Sequence, residues 1–124
     1  GMRLPLASSA IGRSYLAVCS DGERADLLDQ LKELDHVAWP ALKQGIERSL
    51  ATYAELGVCT SFGEWQPDVN GIAVAFHPGN GLPAMAITCG APAFKVTPEY
   101  LLNDVRPLLL ELVRKVEEGL GVRS

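Results

Sequence analysis

Residues 57–92, GVCTSFGEWQPDVNGIAVAFHPGNGLPAMAITCGAP, constrain the fold more than any other part of this chain. Two runs inside it alternate large and small side chains with a period of two, the mark of strands whose faces differ. In residues 70–77, Ile72, Val74 and Phe76 fall on one face and Gly71, Ala73 and Ala75 on the other. In residues 83–90, Met85, Ile87 and Cys89 oppose Ala84, Ala86, Thr88 and Gly90. Residues 58–62 make a shorter strand ahead of these, separated by a polar insert that carries Trp65. Gly79-Asn80-Gly81 predicts a tight hairpin between the second and third strands, because Gly and Asn tolerate positive φ.

Helices flank this meander on both sides in sequence. Ser8 or Ser9 is an N-cap, and Ile11, Tyr15, Leu16 and Cys19 follow at helical spacing. Ser20 with Glu23 has the capping-box pattern and opens a second helix with Leu27, Leu28, Leu31 and Leu34 along one side. Pro40 suits a first turn, Leu42, Ile46, Leu50, Tyr53 and Leu56 step by three or four, and Gly57 is a natural stop. Thr97-Pro98-Glu99 starts a long last helix carrying Leu101, Val105, Leu108, Leu109, Leu112, Val113 and Val116. The expected fold class is α+β, an antiparallel sheet of at least three strands packed against helices. Three strands are few, so either residues 3–7 add an edge strand or another subunit covers the open edge.

With 124 residues and no linker-like or repetitive tract, residues 1–124 read as a single domain. The net charge of −4 argues against a phosphate-neutralising surface, so no direct nucleic-acid binding is expected. The apolar runs are too short to span a bilayer and no signal segment is visible, which makes a cytoplasmic protein the simplest expectation and a membrane partner an unexpected one. Gly1 before Met2 looks like an expression scar ahead of a start codon, or else the mark of a cloned fragment. Cys19, Cys59 and Cys89, an odd count with wide spacing, read as small buried hydrophobes rather than disulfide or metal ligands. Neither His36 nor His77 has a spacing that places it beside a cysteine nucleophile, so no enzyme, metal or cofactor is expected.

Three segments together resemble the effector-binding domain of IclR-type transcriptional regulators. LPLASSAIGRSYLA (4–17) looks like the family's strand end and helix start, with Gly12-Arg13 where the family has Gly-Lys or Gly-Arg. GVCTSFGEWQPDVNGIAVAF looks like its strand–loop–strand around the effector pocket, in the branch carrying a GEW-x-x-DVN loop. NGLPAMAITCGAP is similar to its next strand and small-residue–Pro exit. The resemblance implies a GAF-like sensor fold, a homodimer or homotetramer, and a small organic acid (a carboxylate) as effector. It also implies that the chain is the C-terminal part of such a domain, truncated at its N-terminus, since the family's domain begins well upstream of Leu4 and no helix-turn-helix segment is present. Many members have an Asp near Ser61 and a Cys at the position of Gly71, and this chain departs at both.

The implied effector site comprises Ser8, Ser9, Ala10, Ile11, Gly12, Ser61, Trp65, Asp68, Asn70, Gly71, Thr88 and Gly90. Each has a plainer role beside the functional one. The unpaired amides of the Ser8–Gly12 turn suit a carboxylate, or the serines only cap the helix. Gly71, Ala73, Thr88 and Gly90 form the floor of a concave space, or they admit a closely packed helix. Trp65 closes over a ligand, or packs on its own loop or a neighbouring subunit. Asp68 and Asn70 bind ligand polar groups, or make Asx-type turns. A chain of this kind is a small-molecule sensor. The alternative is an interaction module without a ligand, pairing with itself or with a full-length regulator.

Overall fold

The computed structural model describes residues 7–79 and 81–119. In these, three helices precede the sheet: α1 (Ala10–Val18), α2 (Asp21–Leu34) and α3 (Trp39–Leu56). The strands are β1 (Cys59–Phe62), β2 (Val69–Phe76) and β3 (Met85–Pro92), antiparallel in the order β1-β2-β3. A last helical rod runs from α4 (Pro98–Tyr100) through a π-helical turn (Leu101–Val105) into α5 (Arg106–Gly119). The architecture is α+β, as expected from the sequence, with helices on both faces of the sheet.

Local chemistry accounts for most boundaries. Ser9 Oγ accepts from the Gly12 amide at 3.1 Å, Ser20 Oγ from Glu23 at 3.2 Å, and Thr97 Oγ1 from Tyr100 at 3.1 Å. Each satisfies an amide that the first helical turn leaves unpaired. Gly57 ends α3 in the left-handed region, φ 81°, and its amide returns to the Tyr53 carbonyl at 2.8 Å.

The register puts Gly71 opposite Gly90, Ala73 opposite Thr88 and Ala75 opposite Ala86. The small side chains of the two strands thus share one face, along which α1 packs. A Cβ at Gly71 would lie 3.9 Å from Cβ of Ala10 at the start of α1, while the His77 ring meets the Val18 carbonyl at its end, 2.9 Å away. The opposite face, with Ile72, Val74 and Phe76, forms the main core with Val58, Leu101, Leu109 and Val113. A second core joins Ala7, Leu16 and Ile46, flanked by Leu27, Leu28, Leu31, Trp39 and Leu42.

Several expectations need correction. The second and third strands are joined by residues 77–84, not by a tight hairpin, and the third starts at Met85 rather than at residue 83. Pro78 and Pro83 have no amide to give a ladder, and Leu82 N–H instead closes a turn on the Gly79 carbonyl at 3.0 Å. Gly79 and Gly81 do take positive φ, 87° and 73°, while Asn80 lies outside the described residues. Residues 3–6 of the expected edge strand also lie outside them, and Ala7 sits in a turn. Leu34, Leu108 and Leu112 are exposed, at 81, 72 and 48 %, whereas Leu27, Leu28 and Leu31 are half-buried and Leu109 and Val113 are buried.

The last helix is not regular, because of Pro107. A proline ring in an α-helix clashes with the carbonyl four residues back and supplies no donor. The π turn absorbs this: the Arg106 amide bonds to the Leu101 carbonyl, five residues back. That leaves the Leu102 carbonyl without the Arg106 amide, and the Arg106 side chain replaces it, Nε to O at 2.9 Å. Nη1 of the same guanidinium reaches the Leu56 carbonyl at the end of α3, 3.2 Å away.

Candidate effector cleft

At its Ala73 end the small-residue face is closed by α1, and at its Gly71 end it opens into a cleft of about 410 Å³. Ala73, expected in the floor of the concave space, is instead packed under α1, while Gly71, Thr88 and Gly90 lie beneath the cleft. The floor is Gly71, Thr88 and Gly90; the start of α1 supplies Ser9, Ala10 and Ile11; Ser61 and Trp65 stand at the β1 side. Val69, Ala91 and Pro92 complete the lining. Eight of the twelve residues expected at the site therefore lie together.

The remaining four do not line the cleft. Asn70 is on the other face of β2, 7 % exposed, and its Nδ2 donates to the Val96 carbonyl at 2.9 Å. Strand alternation requires this, since Gly71 faces the cleft. Asp68 is exposed, and its carbonyl accepts from the Ala93 amide at 2.7 Å. The Gly12 amide is taken by Ser9 Oγ, and the Ser8 carbonyl accepts from the Ser61 hydroxyl at 2.5 Å.

The polar groups within the cleft are few. Ala10 and Ile11 occupy the first turn of α1, where amides lack intrahelical acceptors. The Thr88 hydroxyl donates to the Ile72 carbonyl at 3.0 Å, leaving its oxygen able to accept. Among the described residues no charged side chain lines the cleft. Arg13, one helical turn into α1, is instead 3 % exposed and fully engaged. Its Nε donates to the Ala7 carbonyl at 2.9 Å, Nη1 to the Thr60 carbonyl at 2.9 Å, and Nη2 to Glu64 Oε1 at 3.0 Å.

Glu64 precedes Trp65 in the insert between β1 and β2. Burial would push its carboxyl up, but the Arg13 hydrogen bond and charge, the Phe62 amide and Arg48 outweigh burial and hold it below its ordinary range. The insert is closed at its base by Gly63 N–H to the Val69 carbonyl, 2.9 Å, with Gly63 at φ 68°. Nothing local in the sequence signals the Arg13–Glu64 pair, although Gly12-Arg13 and the GEW loop each stand out there.

Cys59 is fully buried, and burial pushes its thiol up, as for an inert core cysteine. Cys19 and Cys89 are half-buried and free. Among the described residues no group of three His, Cys, Asp or Glu is placed to hold a metal, and no helix is long and apolar enough to cross a membrane.

The family described as bacterial transcriptional regulator IclR, C-terminal, matches residues 1–118, and the chain belongs to it. It is a family of regulator domains, not of enzymes. The crystal structure of an IclR-family regulator from Brucella abortus is 34 % identical, with a TM-score of 0.92 over 96 % of this chain and 45 % of that one. The Pca operon regulatory protein of Acinetobacter baylyi is 28 % identical over 94 % of this chain and 42 % of its own length. The chain thus spans less than half of either relative. The inducer-binding domain of the PobR transcription factor from Acinetobacter, solved as a double mutant with 3-hydroxybenzoic acid, shares the fold at 23 % identity and a TM-score of 0.62.

Proposed function

We propose that this chain is an effector-sensing domain that binds a small organic acid in the cleft between the start of α1 and the Gly71/Gly90 floor. The observation that carries this is the cleft itself: an apolar space of about 410 Å³ with a helix start at one wall and small residues beneath it. Pockets that take small molecules are mostly apolar, with a few placed polar groups. A carboxylate would accept from the first-turn amides of α1 with no basic side chain, its apolar body lying against Ile11, Val69 and Trp65. The bound form of 3-hydroxybenzoate in one structural relative supports an acid of this size. In a cytoplasmic regulator, such a ligand acts by favouring the subunit arrangement that binds it more tightly.

Self-association into a dimer or tetramer is the second part of this proposal. Among the described residues the outer edge of β3 pairs with no strand, and Leu108 and Leu112 expose an apolar stripe on α5. The same surface supports the alternative of an interaction module that pairs with itself or with a full-length regulator and binds no ligand.

Thermal unfolding against a panel of small aliphatic and aromatic carboxylates, with subunit mass measured in parallel, tests both. A ligand at about 100 times its dissociation constant adds roughly 2.7 kcal/mol. A selective, saturable shift that Gly71→Val abolishes establishes the sensor. No shift from a folded oligomer sinks it and leaves the interaction module.

A further inference from the structure

We propose that the ion pair between buried Arg13 and part-exposed Glu64 is a positioning device for Trp65, holding the indole as the wall of the cleft and setting how fast a bound acid leaves. This rests on the cleft being the effector site proposed above.

Trp65 makes no hydrogen bond of its own among the described residues, so its place is set by packing and by the loop that carries it. That loop is closed at its base by Gly63 N–H to the Val69 carbonyl, turned after Trp65 by Val69 N–H to the Gln66 carbonyl at 3.0 Å, and tied to the segment after β3 by the Ala93 amide to the Asp68 carbonyl. These main-chain bonds fix the path of the loop on the side that follows Trp65; the side that precedes it is held through Glu64. The side-chain ties from the loop to the rest of the molecule run through Glu64, the residue before Trp65: Arg13 Nη2 at 3.0 Å, Arg48 Nη2 at 3.3 Å and the Phe62 amide at 3.3 Å.

The two arginines are unequal anchors. Arg48 is 73 % exposed, so water screens its pairing with the carboxylate. Arg13 is 3 % exposed and held by two backbone carbonyls besides, so it presents a fixed cation. The fold also reserves space for it, since α3 has Gly45 where a Cβ would run into the guanidinium. A buried, triply bonded arginine beside a ligand cleft that it does not line serves the loop next to it. The Trp65 wall is therefore pre-organised, and binding need not pay to order it.

The test uses the whole chain in a Trp39→Phe background, so that Trp65 is the single tryptophan fluorophore. Acrylamide quenching reports the exposure of its indole without any ligand. Glu64→Ala is expected to raise the quenching constant and Glu64→Gln to raise it less, while both unfold cooperatively. Arg48→Ala is expected to move it less than Glu64→Ala; equal effects would overturn the assignment to the buried arginine. With 3-hydroxybenzoate as probe, Glu64→Ala releases ligand about tenfold faster at a little-changed association rate. Unchanged quenching in Glu64→Ala, or unchanged release from a protein that binds the probe, overturns the proposal. If the parent chain binds no acid, the effector reading fails, and the quenching result still decides the positioning role.

Discussion

Arg13 and Glu64, 51 residues apart in sequence, meet at 3.0 Å and together close the outer edge of β1. Among the described residues β1 has β2 as its one neighbour. Thr60 and Phe62 lie two apart, so their main-chain groups point to the same side of the strand. Arg13 takes the Thr60 carbonyl and Glu64 takes the Phe62 amide. An edge that would otherwise offer a template for pairing is thus satisfied by side chains. The same ion pair binds α1 to the insert.

Gly45→Ala tests how tightly this arrangement is packed. In a helix interior such a change ordinarily stabilises by roughly 0.5–1 kcal/mol. Here the new Cβ would overlap Nη2 of Arg13 and lie 3.3 Å from Glu64 Oε1. Arg13 has no room to yield without losing a hydrogen bond. The expected outcome is a loss of about 1–3 kcal/mol in urea unfolding. A stabilised variant would mean that the guanidinium is not fixed where it lies.

Acid should release the pair. The Glu64 carboxyl lies below its ordinary 4.5 in the folded chain. A carboxyl depressed by folding contributes stability that is fully present above its unfolded value and disappears as pH falls through the folded one. The stability difference between the parent and Glu64→Gln is therefore largest near neutrality. It begins to shrink as pH falls through the ordinary value of 4.5 and is gone once the folded group is protonated. A difference independent of pH down to full protonation would show that the charge of Glu64 contributes nothing.

Much of this architecture is legible in the sequence because it is local. Ser9, Ser20 and Thr97 cap their helices, Gly57 ends α3, and the alternation of large and small residues sorts the two faces of the sheet without any knowledge of register. The same alternation excludes Asn70 from the side that Gly71 faces, so the two cannot both line the cleft. Pro92 escapes a reading that ends the third strand at Gly90, one period short. What has no local signature is chemistry between distant residues: Arg13 with Glu64, and Arg106 with the end of α3. Leu108 and Leu112 follow the apolar period of α5 yet stay exposed, since periodicity marks a face and not what covers it.

Asn70→Ala separates support from recognition. Its side chain ties β2 to the segment entering α4 through the Val96 carbonyl. Removing a buried hydrogen bond of this kind costs about 1–3 kcal/mol when a partner is left unsatisfied. Because Asn70 faces away from the cleft, affinity for any acid that binds there should stay within about twofold once unfolding is accounted for. A large loss of affinity at intact stability would restore Asn70 to the site.

Ser49 points the other way. Its hydroxyl, on α3 against β1, is buried at 2 % exposure and lacks a hydrogen-bond partner among the described residues, while the Ser49 carbonyl accepts a long contact from the Cys59 thiol at 3.8 Å. A buried hydroxyl without a partner costs free energy on folding, and alanine is the better helix former. Ser49→Ala should raise stability by up to about 1 kcal/mol, read from the urea midpoint at unchanged slope. A loss of that size would mean the oxygen is hydrogen-bonded in solution.

Arg106 carries the strongest prediction for the helical rod. Pro107 removes one donor from the helix and the π turn diverts another, so the Leu102 carbonyl depends on the Arg106 guanidinium. The same group takes the Leu56 carbonyl at the end of α3. Methionine at this position would keep most of the apolar stem and lose both bonds, so Arg106→Met should cost about 1–3 kcal/mol. Replacing the proline in the same chain, Pro107→Ala, should recover part of that loss, because the substituted residue brings a backbone amide back to the turn. The two changes are then non-additive in a double-mutant cycle. Strict additivity would show that the arginine serves α3 alone and that the π turn needs no help from its side chain.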